Sequence, residues 1–164
     1  MENNKLTRRA ILGGGGAAML FGLWGASSGD TKAAARFPVT LTDAQWRQRL
    51  TPAQFATLRK EDTERPGSSP LNAEKRRGIY ACAGCALPVY RSDTKFESGT
   101  GWPSFFAPIA NAIRTKPDGI GPFKRTEVHC RRCGGHLGHV FDDGPPPTGK
   151  RYCMNGAAIT FRAA

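Results

Sequence analysis

The same cysteine pattern occurs twice in this chain, as Cys82-Ala83-Gly84-Cys85 and Cys130-Arg131-Arg132-Cys133. Two intervening residues let both sulfurs of a pair face one point, and Gly84 and the pair Gly134-Gly135 offer permissive backbone for the tight turns this requires. Four thiolates complete a tetrahedral zinc shell and leave no position open for a substrate. The spacing therefore predicts one structural zinc per chain, bound by Cys82, Cys85, Cys130 and Cys133.

Other interpretations of these four cysteines stay open on spacing alone. In an oxidising compartment they can form two disulfides. A single Cys-x-x-Cys also serves as a redox motif, and four thiolates can hold iron instead of zinc. Two such patterns in one chain, each followed by small residues, favour a metal.

The rest of the chain predicts one mainly β domain. The 164 residues include 20 Gly and 12 Pro, so turns are frequent and long helices are not expected. Thr42 and Thr51 each precede Gln at the third following position, a capping box that predicts two short helices. Short β-type runs follow at residues 79–81, 88–90, 128, 139–141 and 159–161. We expect antiparallel sheets after two N-terminal helices.

Residues 1–35 are predicted to be a secretory signal, and residues 36–164 the folded domain. Thr7-Arg8-Arg9 is similar to the start of a twin-arginine signal, an apolar Gly/Ala-rich stretch follows, and Ala33-Ala34-Ala35 offers a cleavage site. The alternative is an uncleaved membrane anchor, although the glycines at 13–16 weaken the stretch as a stable membrane span. The expected location is the periplasm or another exported compartment.

The formal net charge of +11 admits nucleic acid, an anionic membrane or acidic proteins as partners. The basic residues are scattered, however, and the pairs Arg76-Arg77 and Arg131-Arg132 are short. No concentrated basic and aromatic face is evident. The charge is therefore interpreted as a basic protein surface, with no nucleic acid partner.

Cys153 is the fifth cysteine and has no partner among the two pairs. An odd cysteine in an exported protein is either a reactive thiol or a buried cysteine without a chemical role. His136 and His139 are two of the three histidines in the chain, and Trp102 lies in a glycine-bounded turn typical of a shaped pocket. A thiolate needs nearby donors or cations, and a histidine supplies such a group or acts as an acid.

Four stretches of this sequence resemble the peptide-methionine (R)-S-oxide reductases, the methionine sulfoxide reductases of B type. They are GIYACAGC at residues 78–85, DTKFESGTGWPSF at 93–105, HLGHVFDDG at 136–144 and RYCMN at 151–155. With the helical segment before them, the resemblance extends from Leu41 to Phe161. The family repairs oxidised methionine, with one enzyme class for each sulfoxide epimer.

The resemblance implies two antiparallel β-sheets in a barrel-like arrangement, a structural zinc away from the reaction, and Cys153 as the nucleophile. It implies that Trp102 forms the pocket for the methyl group of the substrate. It also implies that His136, His139 and Asn155 bind and polarise the sulfoxide oxygen and that Arg151 orients the site. The implied chemistry is thiolate attack on the sulfoxide sulfur, which leaves a cysteine sulfenic acid.

One departure from the family bears on how the enzyme is regenerated. Many members carry a second, resolving cysteine where this chain has Thr100, and Gly156 stands where the family often has Ser. We therefore expect oxidised proteins as substrates, an external thiol or thioredoxin-like protein as electron donor, and a monomer. The rival hypotheses are a zinc-ribbon binding module without catalysis and a thiol–disulfide exchange protein.

Overall fold

The computed structural model describes residues 37–164, and the predicted signal at residues 1–35 lies outside the described residues. Two short helices come first in the described part, and strands follow. Within residues 37–164, no helix combines the length and the apolar character needed to cross a membrane.

Both predicted helices form, as α1 (Asp43–Arg49) and α2 (Pro52–Lys60). The predicted capping boxes are present: the Thr42 side chain accepts from the Gln45 amide and the Gln45 side chain from the Thr42 amide, and Thr51 and Gln54 repeat the arrangement. These reciprocal bonds satisfy amide groups that the first helical turn leaves free. The helices bury Trp46, Phe55 and Leu58 against the sheets.

The strands form two antiparallel sheets, which confirms the predicted fold class. Within residues 37–164 they are β1 (Gly78–Cys82), β2 (Pro88–Arg91), β3 (Lys95–Phe96), β4 (Ser104–Phe105), β5 (Ile113–Asp118), β6 (Arg125–Cys130), β7 (His136–Phe141), β8 (Arg151–Met154) and β9 (Ile159–Ala163). One sheet has the order β2-β1-β9, and the other β3-β4-β8-β7-β6-β5. Short 3-10 helices occur at Pro70–Asn72, Ser92–Thr94, Gly121–Phe123 and Gly156–Ala158.

An aromatic cluster joins the two sheets. Tyr80 of β1 and Tyr90 of β2 both contact Phe105 of β4, with ring centroids 4.9 Å and 4.4 Å apart. All three side chains are fully buried. The Tyr90 hydroxyl donates to the Met154 sulfur of β8 at 3.1 Å, so the packing fixes β8, which carries Cys153, against the three-stranded sheet.

The β-type stretches predicted from the sequence correspond to β1, β2, β6, β7 and β9. None of them corresponds to β3, β4, β5 or β8. β5 was missed because its residues are mostly exposed and polar and include Pro117. Proline is tolerated there because β5 is the edge strand of its sheet. The omission matters because β5 ends at Asp118, whose carboxylate contacts His139.

Candidate active site and metal site

Cys153 lies in β8 between two strands of the larger sheet. Its backbone is paired with His139 of β7 on one side and with Ser104 of β4 on the other. Gly138 permits this close approach: a Cβ atom there, at φ +153°, would lie 2.1 Å from the Cys153 carbonyl oxygen. A side chain at position 138 would therefore displace β8.

A pocket of about 100 Å³ opens above Cys153. Among the described residues, its lining consists of Thr63, Trp102, Arg125, Gly138, His139, Phe141, Cys153 and Asn155. Four of the six predicted active-site residues are thus brought together: Cys153, His139, Asn155 and Trp102. An aromatic and apolar wall beside polar groups suits a substrate that is apolar except for one oxygen.

Trp102 and Asn155 are both anchored to the segment that follows α2. The Trp102 indole donates to the Glu64 carbonyl oxygen at 3.1 Å, and the Asn155 side-chain oxygen accepts from the Glu64 amide at 3.2 Å. The Glu64 carboxylate in turn accepts from the amides of Gly156 and Ala157 at 2.5 and 2.9 Å. Glu64 therefore holds both Trp102 and Asn155 in position at the pocket.

His139 is held by a carboxylate that the sequence did not indicate. Its Nε2 lies 2.7 Å from Asp118 Oδ2, and Asp118 also pairs with Arg125 at 3.1 Å. Burial lowers the pKa of His139, and the hydrogen bond to Asp118 partly opposes that effect. The same hydrogen bond lowers the pKa of Asp118. The ring is therefore neutral near neutral pH, with an anionic partner ready to stabilise its charged form.

His136 stands behind His139 and does not line the pocket. The two ring centroids are 5.3 Å apart. His136 Nδ1 faces the buried Glu127 carboxylate at 3.2 Å, and Lys116 pairs with the same carboxylate at 2.8 Å. Burial acts to raise the pKa of Glu127, but the hydrogen bonds and charges of His136 and Lys116 together outweigh it. The pKa of Glu127 is therefore lowered. His136 therefore packs edge-on against His139 and does not line the pocket.

Arg151 is also outside the pocket lining. Its guanidinium pairs with Asp143 at 2.7 Å and lies over the Phe141 ring, 4.3 Å from the centroid. The pKa of Arg151 is raised, chiefly by the Asp143 hydrogen bond and also by the nearby Cys153. Arg151 therefore brings positive charge toward the sulfur and braces Phe141, which lines the pocket.

The four paired cysteines form a separate cluster, and none of them lines the pocket. Their sulfurs all lie within 4.8 Å of one another. Cys82 and Cys133 are 3.6 Å apart at sulfur, and Cys85 and Cys130 are 3.5 Å apart. A disulfide needs about 2.05 Å, whereas tetrahedral zinc with sulfurs at about 2.3 Å places them about 3.8 Å apart. The geometry fits a metal ion and not two disulfides.

The two cysteine turns have matching backbones. The Ala86 amide donates to the Cys82 carbonyl and the Gly134 amide to the Cys130 carbonyl, both at 2.8 Å. Ala86 and Gly134 occupy the left-handed region, with φ of 57° and 67°. The prediction for Gly134 is thus confirmed, but in the first turn Ala86, not Gly84, has this conformation. At Gly84 a Cβ would make only ordinary van der Waals contacts, the nearest at 3.5 Å, so the first turn does not require glycine at this position.

Sequence reasoning missed three acidic residues that hold side chains at or near the pocket, because their sequence signals are weak. Asp118 stands in an exposed edge strand, and Glu64 in a polar segment after a helix. Glu127 alone left a clue, since it is a charged residue one position before the apolar Val128 in a short β-type run. Only the register of β5, β6 and β7 shows that Asp118 meets His139 and that Glu127 meets His136.

Comparison with known proteins agrees with this geometry. A family model described as the SelR domain matches residues 50–163. The chain is 50% identical over 124 residues to the peptide methionine sulfoxide reductase MsrB of Agrobacterium fabrum, covering 75% of this chain and 92% of that protein. It is 50% identical over 125 residues to that of Methanosarcina barkeri, covering 76% and 88%.

A plant relative has a similar level of identity. The chain is 49% identical over 125 residues to peptide methionine sulfoxide reductase B1, chloroplastic, of Arabidopsis thaliana, covering 76% of this chain and 62% of that protein. The range that the family model matches includes Cys153 and all four clustered cysteines. The chain therefore belongs to the SelR domain family of the MsrB peptide methionine sulfoxide reductases.

Proposed function

We propose that this chain reduces methionine (R)-S-oxide in oxidised proteins to methionine, with Cys153 as the nucleophile. One observation carries the proposal: Cys153, unlike the four clustered cysteines, opens into a pocket that also contains Trp102, His139 and Asn155. The relatives named peptide methionine sulfoxide reductase support the reaction class. The (R) epimer rests on the resemblance described above.

The chemistry begins with a proton transfer from Cys153 to His139. Because Asp118 accepts from Nε2 of His139, Nδ1 is the nitrogen left to take the proton of the thiol. Asp118 then stabilises the charged ring, as a carboxylate does beside an imidazolium. The resulting thiolate is the attacking species.

The thiolate attacks the sulfoxide sulfur while His139 returns the proton to the sulfoxide oxygen. Asn155 donates one side-chain proton to the Leu137 carbonyl at 3.4 Å. Its other side-chain proton is free to donate to the sulfoxide oxygen of the substrate. The attack forms a bond between the two sulfurs. That bond and the S–O bond of the substrate then break as the oxygen passes to Cys153, and methionine leaves. The substrate gains two electrons and Cys153 loses two, becoming a sulfenic acid.

Trp102 and Arg151 contribute by shape and charge. The Trp102 ring, fixed through its bond to Glu64, forms the apolar wall that receives the methyl group of the substrate. Arg151 contributes positive charge near the thiolate without lining the pocket. His136 acts through His139, because its ring is buried behind that of His139.

The bound metal is proposed to be one zinc held by Cys82, Cys85, Cys130 and Cys133. All four positions of a tetrahedral shell are then protein ligands, so the zinc supplies structural stability and takes no part in the reaction. It ties the end of β1 to the turn between β6 and β7. Metal analysis of the purified chain distinguishes zinc from iron, and about one zinc per chain is expected.

Regeneration of Cys153 is proposed to use an external thiol. Thr100 is the neighbour of the Cys153 sulfur where a resolving cysteine stands in many members of the family, and the other cysteines belong to the metal cluster. Two thiols, or the dithiol of a thioredoxin-like protein, reduce the sulfenic acid through a mixed disulfide, with release of water and formation of a disulfide in the donor.

The regeneration step is tested by oxidising the enzyme with one equivalent of sulfoxide and trapping it with a sulfenic acid reagent. A single adduct on Cys153 in the intact mass is the expected result. A disulfide from Cys153 to another cysteine of the chain contradicts the proposal.

Export through the predicted signal at residues 1–35 is a further part of the proposal. Cleavage after Ala35 would release a mature chain that begins at Arg36. Fractionation of cells expressing the full chain, followed by the mass of the purified protein, tests this: the expected product is periplasmic and begins at Arg36. Full-length protein in the membrane fraction would support the anchor instead, and gel filtration tests the expected monomer.

The reaction itself is tested with the separated R and S sulfoxide epimers of a blocked methionine. Wild type is expected to reduce the R epimer only, and Cys153→Ser to reduce neither. Turnover of the S epimer alone would contradict the epimer assignment, and turnover by Cys153→Ser would contradict the assignment of the nucleophile. Normal zinc content in Cys153→Ser is the control for folding.

A further inference from the structure

Three hydroxyl groups form a connected chain that ends on the Cys153 sulfur. Ser104 Oγ lies 2.8 Å from Ser98 Oγ, and Ser98 Oγ lies 2.8 Å from Thr100 Oγ1. Thr100 Oγ1 lies 3.8 Å from Cys153 Sγ, within the range of a hydrogen bond to sulfur. The chain runs from a buried residue of β4 to the reacting atom.

The protons of this chain have one consistent direction when Cys153 is a thiolate. A thiolate only accepts, so the Thr100 hydroxyl donates to it. Thr100 Oγ1 then accepts from Ser98, and Ser98 accepts from Ser104. The single Ser104 proton then serves the 2.8 Å contact with Ser98 instead of the longer 3.2 Å contact with the Trp102 carbonyl oxygen. Hydrogen bonds aligned in series strengthen one another, and a donor to the charged form of a group favours that form.

We propose that Thr100 is a catalytic residue whose hydroxyl stabilises the Cys153 thiolate, and that Ser98 and Ser104 are positioning residues that orient this hydroxyl. Its role in turnover rests on the function proposed above, whereas its effect on the thiol does not. Thr100 therefore assists the nucleophile, whereas the resolving cysteine that many family members have at this position reduces the oxidised nucleophile.

The charged and titratable groups around Cys153 come from several elements. His139 of β7 and Arg125 of β6 line the pocket, and Arg151 of β8 is near enough to Cys153 for that cysteine to help raise the pKa of Arg151. Asp118 of β5 acts on His139 and pairs with Arg125. Substitution of Thr100 changes none of these groups, so it isolates the contribution of the hydroxyl.

The direct test is the rate at which iodoacetamide alkylates Cys153 as a function of pH. Peptide mass spectrometry follows the modification at Cys153, because other cysteines of the chain can react as well. The variants are Thr100→Val, which removes the hydroxyl at nearly constant shape, Thr100→Ser, which keeps it, and Ser98→Ala, which leaves Thr100 without its donor. Zinc content and the thermal midpoint are measured for each to verify the fold.

Thr100→Val is expected to move the midpoint of the alkylation profile up by about one pH unit. The reason is that the free energy of a hydrogen bond to a charged group corresponds to a shift of about one pKa unit. Alkylation below the midpoint is then about tenfold slower. Thr100→Ser should match wild type, and Ser98→Ala should fall between the two. Equal profiles for Thr100→Val and wild type, or a Thr100→Ser profile displaced as far as that of Thr100→Val, overturn the proposal.

Turnover provides a second readout. In Thr100→Val, kcat should fall near neutral pH and recover at alkaline pH, where the thiolate forms without help, while KM stays constant. A loss of kcat that persists at alkaline pH points to a merely structural role and contradicts the proposal. The alkylation test needs no sulfoxide, so failure of the enzyme to reduce methionine sulfoxide would count against the proposed function alone.

Discussion

The four-cysteine cluster and the pocket around Cys153 place the same residue type in opposite surroundings. In the cluster, four sulfurs contact one another, and three of the four cysteines are buried. In the pocket, one sulfur faces a hydroxyl, aromatic rings and a histidine, and it is open to a ligand. A thiolate surrounded by thiolates needs a metal, whereas a thiolate surrounded by donors can attack a substrate.

The two regions also differ in how they are built. Each cysteine turn is local, because a backbone bond spanning four residues closes it. The pocket depends on distant residues: Glu64 and Asn155 are 91 positions apart, and Asp118 and His139 are 21 apart. We therefore expect the cluster to determine the stability of the domain and the pocket to determine its activity.

The largest effect should come from opening the cluster. Cys130→Ser removes one metal ligand from a closed shell, so we expect loss of the metal and a decrease of about 4 kcal/mol or more in the free energy of unfolding. Equilibrium unfolding and metal analysis measure both. Cys153→Ser is the matched control, and it should keep metal and stability while losing all turnover. A Cys130→Ser chain as stable as Cys153→Ser would remove the distinction between the two regions.

A smaller effect is expected from Asp118→Asn. The amide cannot stabilise the charged form of His139 as the carboxylate does, so kcat should fall by about tenfold to a hundredfold with little change in stability. Asp142→Asn is the control, because Asp142 is exposed and its salt bridge with Lys150 involves no pocket histidine. Steady-state kinetics decides: equal kcat values for the two variants would show that Asp118 does not assist His139.

The smallest effect concerns the pH dependence of stability. Burial lowers the pKa of His129 and His139 below the ordinary value of 6.5. Between the lowered pKa and 6.5 the unfolded chain binds more protons than the folded one. The free energy of unfolding therefore decreases as pH falls through 6.5, by at most about 1.4 kcal/mol per pH unit for each histidine. Above 6.5 these groups contribute no change.

This dependence is measured by urea unfolding at several pH values in wild type and His129→Gln. The variant lacks one of the two buried rings, so its stability should fall less steeply with acidification. Zinc content is followed in parallel, since protonation of the thiolates also releases metal. Parallel curves for the two proteins would show that His129 keeps its ordinary proton affinity in the fold.

Much of the architecture was predictable because its signals are local. The capping boxes at Thr42 and Thr51 depend on contacts three residues apart, and such contacts can be read from adjacent letters. The two Cys-x-x-Cys pairs likewise predicted a site with four sulfur ligands. Cys153 was singled out because it lies outside the two cysteine pairs, and its role as nucleophile was implied by the family resemblance of its motif. These features need no knowledge of which strands are neighbours.

The remaining features depend on strand register, which no local pattern contains. Asp118 meets His139 because β5, β6 and β7 are adjacent. Thr100 lies in the turn before β4 and meets Cys153 because β4 pairs with β8. A shift of one residue in that pairing would turn the sulfur to the other face. The sequence alone thus predicted the four-cysteine cluster, the two helices and Cys153 as the candidate nucleophile. Only the tertiary structure decided which acid supports the histidine and which hydroxyl faces the sulfur, because those contacts arise from packing between distant segments.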